Sequence, residues 1–308
     1  MGLVESGGIF ASDALLKEDP NSEDELGRLL SAAARNGWRN ALNEVYDREF
    51  VDYVTNPDRL SLISLLPLDP TQRILEIGPG LGQMSVAISK HVNHLDIIEA
   101  SIGQARFCKV RTEQEGRENV GVFAGGENGS LPFPDNSYDG VVMNLVLEWC
   151  GIRSDRSHQE VQQRYIAEVR RVLKPGGFFF VSTKNRYAIR LLTGGRDEHL
   201  AEIPFGSALP RALGRLLAGK KPRGFLHSYP ALQRMLTSAG FDPAASFLAL
   251  PDMRWPQSYL NYEGDLSPAK SSALVGAMPP RTRAAMKLIP TSLLKYVAPG
   301  LTFLARKR

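Results

Sequence analysis

Between residues 73 and 184 the apolar positions of the chain switch repeatedly between two rhythms. Short, nearly unbroken apolar runs read as buried strands: Ile74-Leu75-Glu76-Ile77, Leu95-Asp96-Ile97-Ile98, Val120-Gly121-Val122-Phe123, Val141-Val142-Met143 and Phe178-Phe179-Phe180-Val181. Between them the period becomes helical. Met84, Val86, Ala87 and Ile88 follow the first run, Phe107, Cys108 and Val110 lie within 103–115, and Val161, Ile166 and Val169 within 158–172. Such alternation predicts a parallel sheet covered on both faces. Residues 247–250 predict a sixth strand and 301–305 a seventh.

Ahead of this core, residues 1–20 show neither rhythm and are expected to be loose. Ser22-Glu23-Asp24-Glu25 has the S-x-x-E form of a capping box, opening a helix with Leu26, Leu29, Leu30 and Ala33 on one side. A second helical stretch spans 38–54, and Asn56-Pro57 reads as N-cap and first turn of a third. Together they predict a helical cap over 21–68. The core is then 69–183, continued by 227–308, with two insertions at 184–226 and 252–298. The first, with Arg196-Asp197-Glu198-His199 and a possible hinge at Gly194-Gly195, is expected to be a mobile substrate cover. Within it Leu209 to Lys221 interleaves leucines with Arg211, Arg215, Lys220 and Lys221. That stretch suits an interfacial helix, or a solvated one whose leucines pack on the core; Gly214 inside it weighs toward packing.

Composition narrows the function classes. A hydrophobic fraction of 43% and a charged fraction of 23% are those of an ordinary globular protein. No apolar run approaches the ~20 residues of a membrane span. Cys108 and Cys150 stand far apart without metal-ligand spacing, so reduced thiols, a cytoplasmic setting and no metal site are expected. The net charge is +4, and after Asp265 no acid follows while eight basic residues do. Such surface draws anionic partners, among them phosphorylated substrates or the inner face of a membrane.

The candidate chemistry begins where the first strand ends. A dinucleotide fingerprint needs glycine at 83, where Gln83 stands, and a P-loop needs G-K-[ST], which is absent. Glu76-x-Gly78-x-Gly80-x-Gly82 instead resembles motif I of the class I S-adenosylmethionine-dependent methyltransferases. Leu131-Pro132-Phe133-Pro134-Asp135-Asn136-Ser137-Tyr138-Asp139 and Arg171-Val172-Leu173-Lys174-Pro175-Gly176-Gly177 resemble two further segments of that family. The whole looks most like its ubiquinone-biosynthesis-like members with a methyltransferase type 11 domain.

The resemblance implies an α/β fold: a doubly wound, Rossmann-like sheet of seven mostly parallel strands, the last antiparallel, with the cap and two insertions added. It implies S-adenosyl-L-methionine as cofactor, the turn of Gly78, Pro79, Gly80 and Gly82 passing under its methionine part and Glu76 serving its charged end. Glu127 and Asn128 would meet the adenine, while Asn144 and Leu145 face the reaction site. Glu99, beside Ala100, stands twenty-one residues past Gly78, the spacing at which such folds present a carboxylate to a ribose.

Methyl transfer to an oxygen or carbon nucleophile usually needs a base, for which His199, His227 and Glu148 are candidates; a neutral amine needs none. The expected activity is transfer to an O, N or C nucleophile of a small, anionic acceptor, in a sugar or polysaccharide pathway or linked to lipid. A non-catalytic adenosylmethionine binder and a nucleic-acid or protein methyltransferase are the rivals. Against nucleic acid, Asn144-Leu145-Val146 stands where an N-P-P-[YFW] motif would follow the fourth strand.

Overall fold

The computed structural model describes residues 3–12, 24–152, 154–219, 223–270, 276 and 278–308. Strands β1 (Val4–Ser6) and β2 (Ile9–Ala11) precede helices α1 (Glu25–Asn36), α2 (Trp38–Val45) and α3 (Arg48–Thr55) and a 3-10 segment, Pro57–Leu65. The core then runs β3 (Arg73–Ile77), α4 (Gln83–Ile88), β4 (His94–Glu99), α5 (Ile102–Gln114), β5 (Val120–Ala124), β6 (Tyr138–Asn144), α6 (His158–Val172) and β7 (Leu173–Lys184). The first insertion holds α7 (Ile189–Leu192), a two-stranded ribbon of β8 (Arg196–Asp197) and β9 (Ile203–Pro204), and α8 (Arg211–Ala218). After α9 (Tyr229–Ser238) and β10 (Phe241–Leu250) come β11 (Ser258–Asn261), α10 (Pro280–Leu288), α11 (Leu294–Val297) and β12 (Gly300–Lys307).

The sheet has ten strands in the order β1-β2-β5-β4-β3-β6-β7-β12-β10-β11. Strands β5-β4-β3-β6-β7 are parallel, and β12 pairs antiparallel with both β7 and β10. This is the expected doubly wound core, its strand order reversing at β3. Successive residues feed opposite layers, as the two-residue period of a strand requires. Ile74, Ile97, Val142, Phe178 and Phe180 join one buried cluster; Leu75, Ile98, Val141, Phe179 and Val181 join the other.

Three additions lengthen the expected seven strands. Residues 3–12 are not loose: β2 pairs in parallel with β5, burying Ile9 and Ala11 and stacking Phe10 on Phe123 at 5.0 Å between centroids. The turn joining β1 to β2 is Gly7-Gly8, both at positive φ, as a tight hairpin demands. At the other edge, β11 comes from the second insertion, where no strand was expected.

The helical cap is present but divided differently. Asp24 caps α1 by accepting from Gly27 N at 2.7 Å, whereas Ser22 and Glu23 of the expected capping box lie outside the described residues. The stretch 38–54 breaks at Tyr46-Asp47, because Asp47 accepts from Phe50 N at 2.8 Å and starts a new helix. Arg111 joins cap to core: its buried guanidinium lies 3.9 Å from the Trp38 ring centroid and donates to Leu81 O at 2.8 Å.

Helix α8 overturns the packing reading of its leucines. Gly214 and Ala218 face inward, and Leu213, Leu216 and Leu217 are exposed, Leu216 to 78%. Glycine permits close approach: a Cβ there would stand 2.9 Å from Leu200 Cδ2. Lys220 and Lys221 lie outside the described residues. Among those described, no helix is long and apolar enough to cross a membrane.

Candidate active site

The ends of β3, β4 and β6 converge at the reversal point, where open α/β sheets bind ligands. A cavity of about 380 Å³ opens there. Its floor is the turn after β3. Gly78 adopts φ +70°, and a Cβ on it would meet Val146 at 2.5 Å. Gly80 adopts φ +59°, and a Cβ there would find no atom within 4 Å, projecting into open space. Gly82, at φ +76°, is pressed against Cys108. The first and third glycines answer to packing; the second leaves room for a ligand against bare backbone.

Glu99 ends β4 and lies on the cavity wall. Gly80 N and Ser101 N donate to its carboxylate at 3.1 and 3.2 Å, which fixes its direction. A carboxylate accepts several hydrogen bonds at once, so the same group can receive two vicinal hydroxyls. Adenosylmethionine therefore fits the residues present: Glu99 would receive its ribose hydroxyls, and Gly80 would leave room for its chain against the backbone.

The other expected cofactor residues divide. Ala100, Glu127 and Leu145 line the cavity, whereas Pro79, Gly82 and Asn144 do not. Asn144 Oδ1 instead accepts from Ser182 Oγ at 2.5 Å. Asn128 is exposed on the turn beyond β5, away from the wall. Glu76 is buried beneath the glycine turn, accepting from Ser85 Oγ at 2.5 Å. Burial pushes its pKa up to about 7; the Ser85 hydrogen bond and Arg111 oppose that, and Glu99 adds to it. Gln104, Ile152 and Tyr165 complete the wall without having been anticipated. Tyr165, whose hydroxyl donates to Gly126 O, comes from the middle of α6 and has no motif to mark it.

Leu145 and Trp149 also line a second cavity of about 360 Å³, reached from the first across the corner after β6. Leu145 takes φ +58° there, held by donation from its N to Ser182 O at 2.9 Å. Phe50 and Tyr53 of the cap, Glu148, Lys184, Glu198 and His199, and Arg254 and Trp255 of the second insertion supply the walls. Lys184, Glu198, His199, Arg254 and Trp255 also border a larger cavity of about 660 Å³.

His199 stands where these spaces meet. Its ring lies 4.6 Å from that of Trp149, and its Nδ1 is 3.3 Å from Asp197 Oδ1. Burial raises the Asp197 pKa, but hydrogen bonds from His199 and Ser207 outweigh it and hold the carboxyl below its ordinary value. An ionised Asp197 takes the proton side of Nδ1, which leaves Nε2 as the acceptor. Glu148 Oε1 and Glu198 Oε1 are each 3.9 Å from Nε2. Glu148 is itself held by Thr183 Oγ1 at 2.7 Å, and Glu198 by Arg254.

His227 is elsewhere. It is buried against Gln162, with Nε2 2.7 Å from Oε1, and lines neither cavity around His199. Burial, with Arg211 and Arg186 nearby, pushes its pKa down to about 4. Lys184 was overlooked because it sits at the end of a strand with no motif around it. Burial pushes its pKa down to about 8, Asp252 opposing and Arg254 adding. Among the described residues no group of His, Cys, Asp and Glu could hold a metal ion.

Part of the chain is similar to known methyltransferases. Residues 75–181 match Methyltransf_11, a methyltransferase domain family. A sterol 24-C-methyltransferase of Gibberella zeae is 34% identical over 118 residues, covering 37% of this chain and 28% of that one. A malonyl-[acyl-carrier protein] O-methyltransferase of Methylococcus capsulatus is 28% identical, covering 37% and 38%. The match thus spans well under half the length of these curated relatives. The solved structure of an S-adenosylmethionine-dependent methyltransferase from Mesorhizobium loti superposes with a TM-score of 0.52 at 17% identity, covering 80% of this chain and 96% of that one, a likeness of fold.

Proposed function

We propose that the chain, whose residues 75–181 match a methyltransferase domain family, is a class I S-adenosylmethionine-dependent methyltransferase that methylates a small-molecule acceptor held between the cap and the two insertions. The observation that carries this reading is the shared wall: Leu145 and Trp149 border both the cofactor cavity and the cavity containing His199. Bound adenosylmethionine supplies a methyl group on a positively charged sulfur. Leu145 and Trp149 would then flank the place where the two ligands meet, and alignment there supplies much of the catalysis.

His199 is the group placed to receive the acceptor's proton. On reaction with the cofactor's electrophilic methyl group, His199 Nε2 would take up the proton that an acceptor hydroxyl gives up on methylation. Asp197, Glu148 and Glu198 stabilise the imidazolium so formed. This geometry favours an oxygen acceptor. A sterol and an acyl-carrier-bound malonyl group are named for the relatives, and they support a small-molecule acceptor of some apolar extent. The cavities around His199 carry charges of both signs, including Asp58, Glu202, Arg190 and Arg196, and so do not require an anion.

The test is incubation with methyl-labelled adenosylmethionine and separate aqueous and organic-soluble metabolite fractions. Label should enter one fraction and fall by about 100-fold or more with His199→Gln, cofactor binding being unchanged. Label remaining on the cofactor with every fraction contradicts the enzymatic reading and leaves the non-catalytic binder. Undiminished transfer by His199→Gln removes this histidine as the base.

A further inference from the structure

The first insertion also borders a fourth cavity, of about 410 Å³, which shares Gly151 and Ile152 with the cofactor cavity and which the methyl-transfer reading does not use. Arg156, Arg211, Arg215, Arg223 and His158 line it, and none of its lining residues is acidic. Arg156 is answered by Glu160 at 2.6 Å. The other three arginines make no ion pair among the described residues. Arg211 Nη2 donates to Leu226 O at 3.0 Å and its guanidinium lies 3.7 Å from the Phe225 ring centroid. Arg223 Nη1 donates to Arg215 O at 3.3 Å. These neutral partners position the guanidinium groups without cancelling their charge. Lost hydration, with Arg186 and Arg215 nearby, pushes the Arg211 pKa down to about 10.

The surrounding backbone adds to the positive field. Helix α6 starts at the cavity with Ser157, His158 and Gln159 on its wall, so the positive end of a fifteen-residue helix points there. Arg211 opens α8, a first turn without an acid, where a cation faces the like-signed end of the helix dipole. That arrangement is costly alone and favourable once an anion bridges helix end and guanidinium. Arginine's planar fork matches tetrahedral phosphoryl oxygens, and a cavity gathering three of them suits such a group better than a single carboxylate.

We propose that this cavity binds a phosphoryl group, presented either by a soluble phosphate ester or by a phospholipid headgroup. The lipid source has a surface to suit it: α8, which turns Arg211, Arg215 and Gly214 to the cavity, carries exposed Leu213, Leu216 and Leu217.

The test uses the full chain, inorganic pyrophosphate and two sets of vesicles. Calorimetry should show saturable pyrophosphate binding, weakened about tenfold or more by Arg211→Gln/Arg223→Gln and in the same direction by Arg215→Gln, an exposed residue. Lys90→Gln, which removes an exposed charge outside the cavity, should change nothing. Phosphatidylcholine vesicles with phosphatidic acid should retain the chain if the source is lipid, and the arginine variants and Leu216→Gln should each release it. Pyrophosphate binding without vesicle retention assigns a soluble ester. No binding to either at low salt, or a loss equalled by Lys90→Gln, overturns the proposal. Neither arm reads methyl transfer, so its failure is separate from failure of the enzymatic reading.

Discussion

Glu76 carries the sharpest consequence at the scale of single residues. Its folded pKa, raised to about 7 from 4.5 by burial, means that the folded chain holds this proton more tightly than the unfolded chain does. The resulting stability is present in full below pH 4.5 and is lost as pH rises through 7. Removal of the proton from so buried a group should cost roughly 3 kcal/mol between those limits. Denaturant unfolding of Glu76→Gln across that range should show this loss abolished; an unchanged pH slope would remove Glu76 as its source. The three glycines and Glu99 were legible because strand, turn and spacing each demand them. Asn128 was misplaced because the positive-φ glycines Gly125, Gly126 and Gly129 decide which neighbouring side chain turns to the cavity. Tyr165 and Gln104 face it from helices whose rotation about their axes no motif records.

At the scale of elements, rhythm located the buried strands and the helices between them, whose cores are set by local apolar period. Edge elements were harder. Strands β1 and β2 are three residues each, too short to show a period, and their one signal was the Gly7-Gly8 turn. The segment after Asn56 keeps the expected cap, Oδ1 accepting from Asp58 N at 2.8 Å, but winds as 3-10 rather than α-helix. Helix α8 shows amphipathicity misread: the pattern was visible, yet small residues rather than leucines met the protein. Leu216→Gln should accordingly change stability by less than about 0.5 kcal/mol, as exposed substitutions usually do. A loss of about 2 kcal/mol or more in thermal unfolding would restore the packed reading.

At the scale of the whole molecule, the two insertions and the cap build what the sheet alone lacks. Bounds for the insertions were drawn from rhythm, which in the first stops at Lys184 and resumes near Tyr229. Their contents were not legible, since His199, Asp197, Trp149 and Arg254 come together only through tertiary packing of separate loops. The account rests centrally on the cofactor cavity at the reversal of the strand order. Calorimetry with S-adenosylhomocysteine on the wild-type chain, Glu99→Ala and Gly80→Val tests it most directly. Wild type should bind one equivalent, Glu99→Ala should bind about 1–3 kcal/mol more weakly for want of its hydroxyl acceptor, and Gly80→Val should not bind, a side chain then occupying the open space. A wild-type chain that does not bind, or three chains that bind alike, would contradict it.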